Sequence, residues 1–214
     1  MPKIAASERD AFYEARRTEL ADVALSLWAE NGFDQTSVAT IAGQAGISKG
    51  TFYLYFESKD ALLLEVLRRN SLVPNILALT EDLQSKTLEQ AVRGFVEGVW
   101  RHLSDHRDLV LVVLRELPTH LDQARDFVER LMVPGNALAA RYLETKISPD
   151  RVDSISSVIS VRALIGMVIV VFLTQEVLGA GRLLPVSERE ITTTIAELFL
   201  RGVAPAASHG KEVA

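Results

Sequence analysis

The residues best suited to do chemistry in this chain lie in one stretch, Ser48-Lys49-Gly50-Thr51-Phe52-Tyr53-Leu54-Tyr55-Phe56-Glu57-Ser58-Lys59. Ser48 can cap a short helix running from Lys49 to Phe56, because a serine oxygen accepts from the unpaired N–H groups of a first helical turn. Phe52 and Phe56 stand four apart, so they share a face that packs inward. Lys49, Gly50, Thr51, Tyr53, Leu54 and Tyr55 are left on the outside. That set suits double-stranded DNA: lysine can donate to guanine O6 and N7, and threonine or leucine can contact a thymine methyl group. The N–H groups exposed at a helix start favour phosphate.

Other chemistries find little support. There is no cysteine, which excludes disulfides, thiolate metal sites and a cysteine nucleophile. The sequence carries no G-x-S-x-G, HExxH, phosphate loop or dinucleotide fingerprint, so neither an enzyme nor a cofactor is expected. His102 and His106 would share a helix face if one helix spanned both, with Asp105 and Asp108 near, but no third ligand converges on them. They read as solvated histidines at a helix end, and no metal is expected.

Composition is that of an ordinary globular protein, 48% hydrophobic and 24% charged. Net charge is −5, and residues 1–60 hold six Lys/Arg against nine Asp/Glu. A domain-wide basic patch is therefore absent, and any nucleic-acid binding must rest on a few local residues. The N-terminus lacks a secretory apolar stretch, so a cytoplasmic location is expected. The run Ala163–Leu173 is too short to span a bilayer and reads as a buried helix or subunit interface.

The elements that must position the Ser48–Lys59 stretch are helical throughout. Ser7 followed by Asp10 marks a helix start, and Leu20, Val23, Ala24, Leu27 and Trp28 recur at helical spacing until Asn31-Gly32. Ser37 can cap a second helix with Val38, Ile41, Ala42 and Ala45 on one stripe, closed by Gly46. Two short helices then meet across a tight turn, with small Ala42 and Gly46 at the places where one helix must cross another. Ser58 begins a fourth helix with Leu62, Leu63, Val66 and Leu67 inward, kinked or ended at Pro74.

Further on, Thr87 with Gln90 forms a capping box for a helix through Leu103. A short helix follows from His106 to Leu117. Residues 120–147 suggest one long helix interrupted at Pro134-Gly135, and Ser148-Pro149 starts another running to Gly179. Ser187-x-x-Glu190 begins the last, stopped by Gly202. The expected fold is all-α with about nine helices: a three-helix helix-turn-helix domain at 1–60 whose first 15 residues are an extension, a larger domain at 61–203, and a flexible tail at 204–214.

Residues 16–64 resemble the DNA-binding domain of the tetracycline-repressor (TetR) family. The resemblance is carried by the apolar positions of the first helix, Gly32-Phe33, Thr36-Ser37, Ile41-Ala42, Ala45-Gly46, Ser48-Lys49-Gly50-Thr51, Tyr53, Phe56 and Ser58-Lys59. It implies that Tyr53 and Lys59 hold phosphates, that Lys49, Thr51, Leu54 and Tyr55 face the groove, and that Thr36 and Ser37 touch the backbone at the start of the second helix. Ser37 can equally be a pure cap, and Tyr53 a core aromatic with its hydroxyl at the surface. Position 54 often carries an aromatic residue in that family; Leu54 departs from that pattern and argues against polar readout there. Arg16 and Arg17 match basic positions near the DNA backbone, or form a solvated helix face. Lys3 and Arg9 lie in the extension.

The family's larger domain dimerises and encloses a ligand. The matching dimer segments are 151–178 and 188–201, the first apolar on nearly every face through Ala163–Leu173. Candidate pocket residues are Phe95, Trp100, Phe127, Met132, Tyr142, Met167 and Phe172, with Arg115, Arg141 and Arg162 as anchors for an anionic group. The resemblance thus implies a dimeric repressor that binds a palindromic DNA operator and is released by a small hydrophobic effector, with no membrane partner. The competing reading is a helical ligand-binding scaffold whose DNA motif has lost function.

Overall fold

The computed structural model describes residues 6–71, 86–116, 118–147 and 156–203. Lys3, Pro74, Leu117, Ser148-Pro149, Arg151 and the tail at 204–214 lie outside the described residues. Among those described, every regular element is helical.

The helices are α1 (Ala6–Asn31), α2 (Val38–Gln44), α3 (Lys49–Phe52), α4 (Lys59–Arg69), α5 (Leu88–Asp105), α6 (Arg107–Glu116), α7 (Leu121–Phe127), α8 (Val133–Glu144), α9 (Ser157–Phe172) and α10 (Glu188–Val203). Wider π-type turns occupy Val128–Met132 and Leu173–Val177, and a short 3-10 turn Ala180–Arg182. Counting the helical stretch 121–144 once, the described chain has nine helices, as expected from its periodicity.

Several sequence signals sit where they were read. Gly32, Gly46 and Gly179 are the described residues with positive φ, and each closes a helix or a turn that an L side chain would strain. The Thr87–Gln90 box is reciprocal: Thr87 N–H donates to Gln90 Oε1 at 3.0 Å, and Gln90 N–H to Thr87 Oγ1 at 3.2 Å. Ser187 Oγ accepts from Glu190 N–H at 3.2 Å.

Three expectations shift. The break in 120–147 falls at Val128–Met132, just before Pro134. Proline lacks an N–H and crowds the carbonyl four residues back, so the widened turn lies upstream of the ring. Residues 6–15 are the first turns of α1, as the start read at Ser7–Asp10 predicts, so the stretch also read as an extension is helical from Ala6, with Arg9 exposed on it. Finally, α5 ends at Asp105 with His106 in the turn before α6, and His102 is buried on α5 where a solvated histidine was expected.

Packing divides the chain into two compact units. The first joins residues up to Ser71 with His106–Met132, and the second holds the remainder. Its cut differs from the sequence boundary at residue 60, and the reason is a shared core. Leu62, Leu63, Val66 and Leu67 of α4 and Leu109 and Val112 of α6 are buried with Leu20, Ala24, Trp28, Ile41 and Phe52. In the second unit, α5, α8, α9 and α10 pack on one another through residues such as Val96, Trp100, Leu143, Val168, Phe172 and Phe199. Trp100 and Phe172 meet edge to face at 5.3 Å.

One continuous helical run, Ser157–Val177, has 21 residues and is long and apolar enough to cross a membrane by length and composition alone. The shorter run Ala163–Leu173 had suggested otherwise, because the flanking turns lengthen the helix while adding only Arg162 and Glu176 as charges. On α9, Ile159, Ala163 and Val170 are exposed and Gly166 half-exposed. At about 100° per residue these four fall on one stripe.

Candidate nucleic-acid interface

The turn between α2 and α3 is built by capping. Ser37 is extended (φ −81°, ψ 156°) and its Oγ accepts from Thr40 N–H at 3.0 Å. At the far end Gly46 takes φ +68°, which lets Ile47 N–H reach back to Ala42 O at 2.9 Å. Ser48 then caps α3 by accepting from Thr51 N–H at 3.0 Å. Ile41 and Ala42 are buried at this crossing.

Phe52 and Phe56 are buried, as the spacing predicts. The third helix is shorter than expected, with α geometry over Lys49–Phe52 alone. Leu54 N–H bonds to Thr51 O at 3.1 Å and Tyr55 N–H to Phe52 O at 2.9 Å, so the chain tightens into three-residue turns that still bring Phe56 inward.

Placement of the outward residues follows. Lys49 and Gly50 are exposed, Tyr53 is 48% and Leu54 72% exposed, and all four belong to one protruding segment. Thr51 is half-buried, its hydroxyl 2.8 Å from Ser48 Oγ. Tyr55 is half-buried, its ring stacked at 5.0 Å on that of Tyr13.

Two candidates sit differently from the rest. Thr36 is buried and its hydroxyl donates to Gly32 O at 2.7 Å, so its side chain closes the α1–α2 turn and faces inward. Lys59 donates to Phe33 O at 2.7 Å and Thr36 O at 3.2 Å, with its ammonium 4.1 Å from the centre of the Phe33 ring. Two of its three N–H donors are therefore spent on the turn itself.

Residues outside the Ser48–Lys59 stretch, Tyr13 among them unread in the sequence, support this surface. Tyr13 Oη donates to Leu54 O at 3.0 Å, and Arg17 Nη1 donates to Tyr55 O. The Arg17 guanidinium lies 4.2 Å from the centre of the Phe56 ring and 3.6 Å from the buried Glu65 carboxylate. Arg17 thus turns toward the end of α3, while Arg16 pairs with Glu19 along α1. Glu65 also bonds Arg68 at 2.8 Å and Arg69 at 2.7 Å. The hydrogen bond from Arg68 holds its carboxyl at about 2, against the opposing pull of burial and with help from Arg69 and Arg17.

A second clasp holds the α1–α2 turn from the other side. The buried Glu116 carboxylate accepts Phe33 N–H at 3.1 Å, and Arg115 bonds both Glu116 and Trp28 O. His120 lies edge-on to Phe33 at 4.9 Å, with Nε2 3.3 Å from Asp34 Oδ1. Its bond to Glu116 O, then Asp34, raises its pKa. Periodicity carries no signal for such pairs, because the partners lie more than 80 positions apart in the chain.

The ten pocket candidates are divided between the units. Arg115, Phe127 and Met132 belong to the first, where Arg115 caps α1 and Phe127 packs on the core. Phe95, Trp100, Arg141, Tyr142, Arg162, Met167 and Phe172 belong to the second. There Trp100 and Phe172 are core, Phe95, Met167 and Tyr142 are half-buried, and Arg141 and Arg162 are exposed. Burial raises the Tyr142 phenol.

Comparison with known proteins points one way. The profile described as "Bacterial regulatory proteins, tetR family" matches residues 20–66. Over 53 residues the chain is 49% identical to the HTH-type transcriptional repressor KstR2 of Rhodococcus jostii, covering 25% of this chain and 26% of that protein. Matches to the first Bacillus subtilis relatives span 33–51% of those proteins' length. In fold, the chain is similar to a Mesorhizobium loti protein assigned to the tetR family of transcriptional regulators, with a TM-score of 0.71 at 20% identity, over 90% of this chain and 98% of that one. The Bacillus subtilis regulator FadR, solved with stearoyl-CoA, gives 0.66 at 20% identity, over 87% and 98%.

Proposed function

This chain belongs to the TetR family of bacterial regulatory proteins, and from that premise we propose that it is a dimeric, cytoplasmic, DNA-binding transcriptional repressor released by a hydrophobic small molecule. The observation that carries the reading is the protruding segment Lys49–Leu54, capped by Ser48 and anchored by buried Phe52 and Phe56, with Tyr53 and Leu54 bare.

A helix-turn-helix module places such a segment in the major groove. Lys49 and Thr51 are the base-reading candidates, Leu54 supplies an apolar contact, and Tyr53, Ser37 and the third donor of Lys59 face phosphate. Thr36 supports this set from beneath. So few contacts by one copy favour a two-fold operator read by two subunits.

The exposed stripe Ile159, Ala163, Gly166 and Val170, with Leu198 59% exposed on α10, supports a second copy of this chain as the cover of the second unit. That face falls in the segments 151–178 and 188–201 proposed as the dimer seam. The apolar packing of the second unit favours an acyl or aromatic effector, and FadR, similar in fold, was solved with stearoyl-CoA.

A gel shift on the DNA upstream of the protein's own gene tests the reading. A specific shift at low salt, reversed by an effector such as stearoyl-CoA, is expected. Absence of any specific shift would favour the scaffold alternative instead.

A further inference from the structure

A four-residue helix cannot hold its own direction, because so short a helix makes too few internal bonds to offset its nucleation cost. Its last carbonyls also lack helical partners. In this chain both needs are met from α1. Tyr13 Oη donates to Leu54 O at 3.0 Å, Arg17 Nη1 donates to Tyr55 O, and the Tyr13 and Tyr55 rings stack at 5.0 Å.

Arg17 is itself held on three sides. Its guanidinium lies over Phe56, pairs with Glu65 at 3.6 Å and approaches Glu14 at 3.9 Å. Glu65 is simultaneously tied to Arg68 and Arg69, and Arg69 bonds Thr18 on α1. A rigid layer of α1 and α4 residues therefore reaches the far end of the DNA-facing segment.

The geometry points to Tyr13 and Arg17 as positioning residues that set sequence specificity: they fix the angle of Lys49–Tyr55 against base edges, and Glu65 orients Arg17 for the task. This rests on the DNA-binding reading above. Base contacts carry the sequence information and need donors aligned with base edges, whereas phosphates are the same at every sequence, so a loosened α3 end degrades discrimination between sequences before it degrades affinity for DNA as such. Tyr13 is 39% exposed, which makes loss of its single hydroxyl bond a mild change for the fold.

The test uses the full chain. Duplexes are selected from a random pool with the wild type, and affinities for the selected duplex and for an equal-length random duplex are then compared in Tyr13→Phe and Arg17→Lys, with melting temperatures alongside. Tyr13→Phe should lower the selected-to-random ratio about fivefold, the value of a hydrogen bond of ~1 kcal/mol. Random-duplex affinity and its salt dependence should hold. Arg17→Lys keeps the charge but loses the planar fork that spans Glu65 and Tyr55 O, and should relax the ratio at least as far.

A ratio within twofold of wild type in both variants overturns the inference and leaves the DNA-binding reading intact. Equal weakening on both duplexes marks Tyr13 as a phosphate contact and overturns it too. A folded wild type that selects no duplex defeats the reading itself, and the inference with it.

Discussion

Each compact unit has an apolar core of its own, but the contacts added to that core differ. The first is laced by directional polar contacts between distant segments: Glu65 to α1, Lys59 to the α1–α2 turn, and Glu116 to Phe33. The second packs mainly through apolar helix faces, with Arg93–Glu197 at 3.5 Å as a polar tie between distant helices, and leaves Ile159, Val170 and Leu198 bare. A surface that reads base edges must be aimed, and hydrogen bonds supply angles. A surface that meets a second copy or an apolar ligand needs area, which burial supplies without direction.

The sharpest way to break this contrast is to hollow the first unit's core. Phe52→Ala removes a fully buried ring beneath the DNA-facing segment and should cost about 3–5 kcal/mol, read from denaturant midpoints of the full chain. DNA binding should go with it. If the second unit is instead covered by a partner copy, Val170→Asp on the exposed stripe should abolish self-association in sedimentation while leaving the secondary structure intact. A variant that still dimerises would place the seam elsewhere.

The polar side of the contrast is tested by pH. Glu65 has its folded pKa depressed from 4.5 to about 2, so its carboxylate favours the folded state. Its contribution is complete above about pH 4.5 and is lost as pH falls toward 2; Glu65→Gln should remove that part of the acid dependence in urea titrations. His120 has the opposite sign. Its pKa is raised above 6.5, so its contribution is full below that pH and declines as pH rises through the folded value. Asp34 is largely exposed, so Asp34→Asn should flatten this dependence by less than about 1 kcal/mol.

Legibility differed between the units for the same physical reason. Caps and left-handed turns are local, and Ser37, Ser48, Ser58, Thr87, Gly32 and Gly46 could each be read from neighbours within a few residues. The inward pair Phe52 and Phe56 follows from helical spacing. What spacing cannot carry is the partner of a long side chain. Lys59 and Thr36 matched phosphate positions by resemblance, yet both are drawn into the α1–α2 turn, and Arg17 turns to α3.

By itself, then, the amino-acid order determined the helices, their stops and the outward choice of Lys49, Tyr53 and Leu54, because hydrogen bonding and amphipathic burial act over one or two turns. Tertiary structure alone decided that α6 and α7 pack with the helix-turn-helix and that Tyr13, Arg17 and Glu65 hold its reading edge. Those contacts join residues 38 to 48 positions apart, a distance at which only the folded backbone brings donors and acceptors within reach.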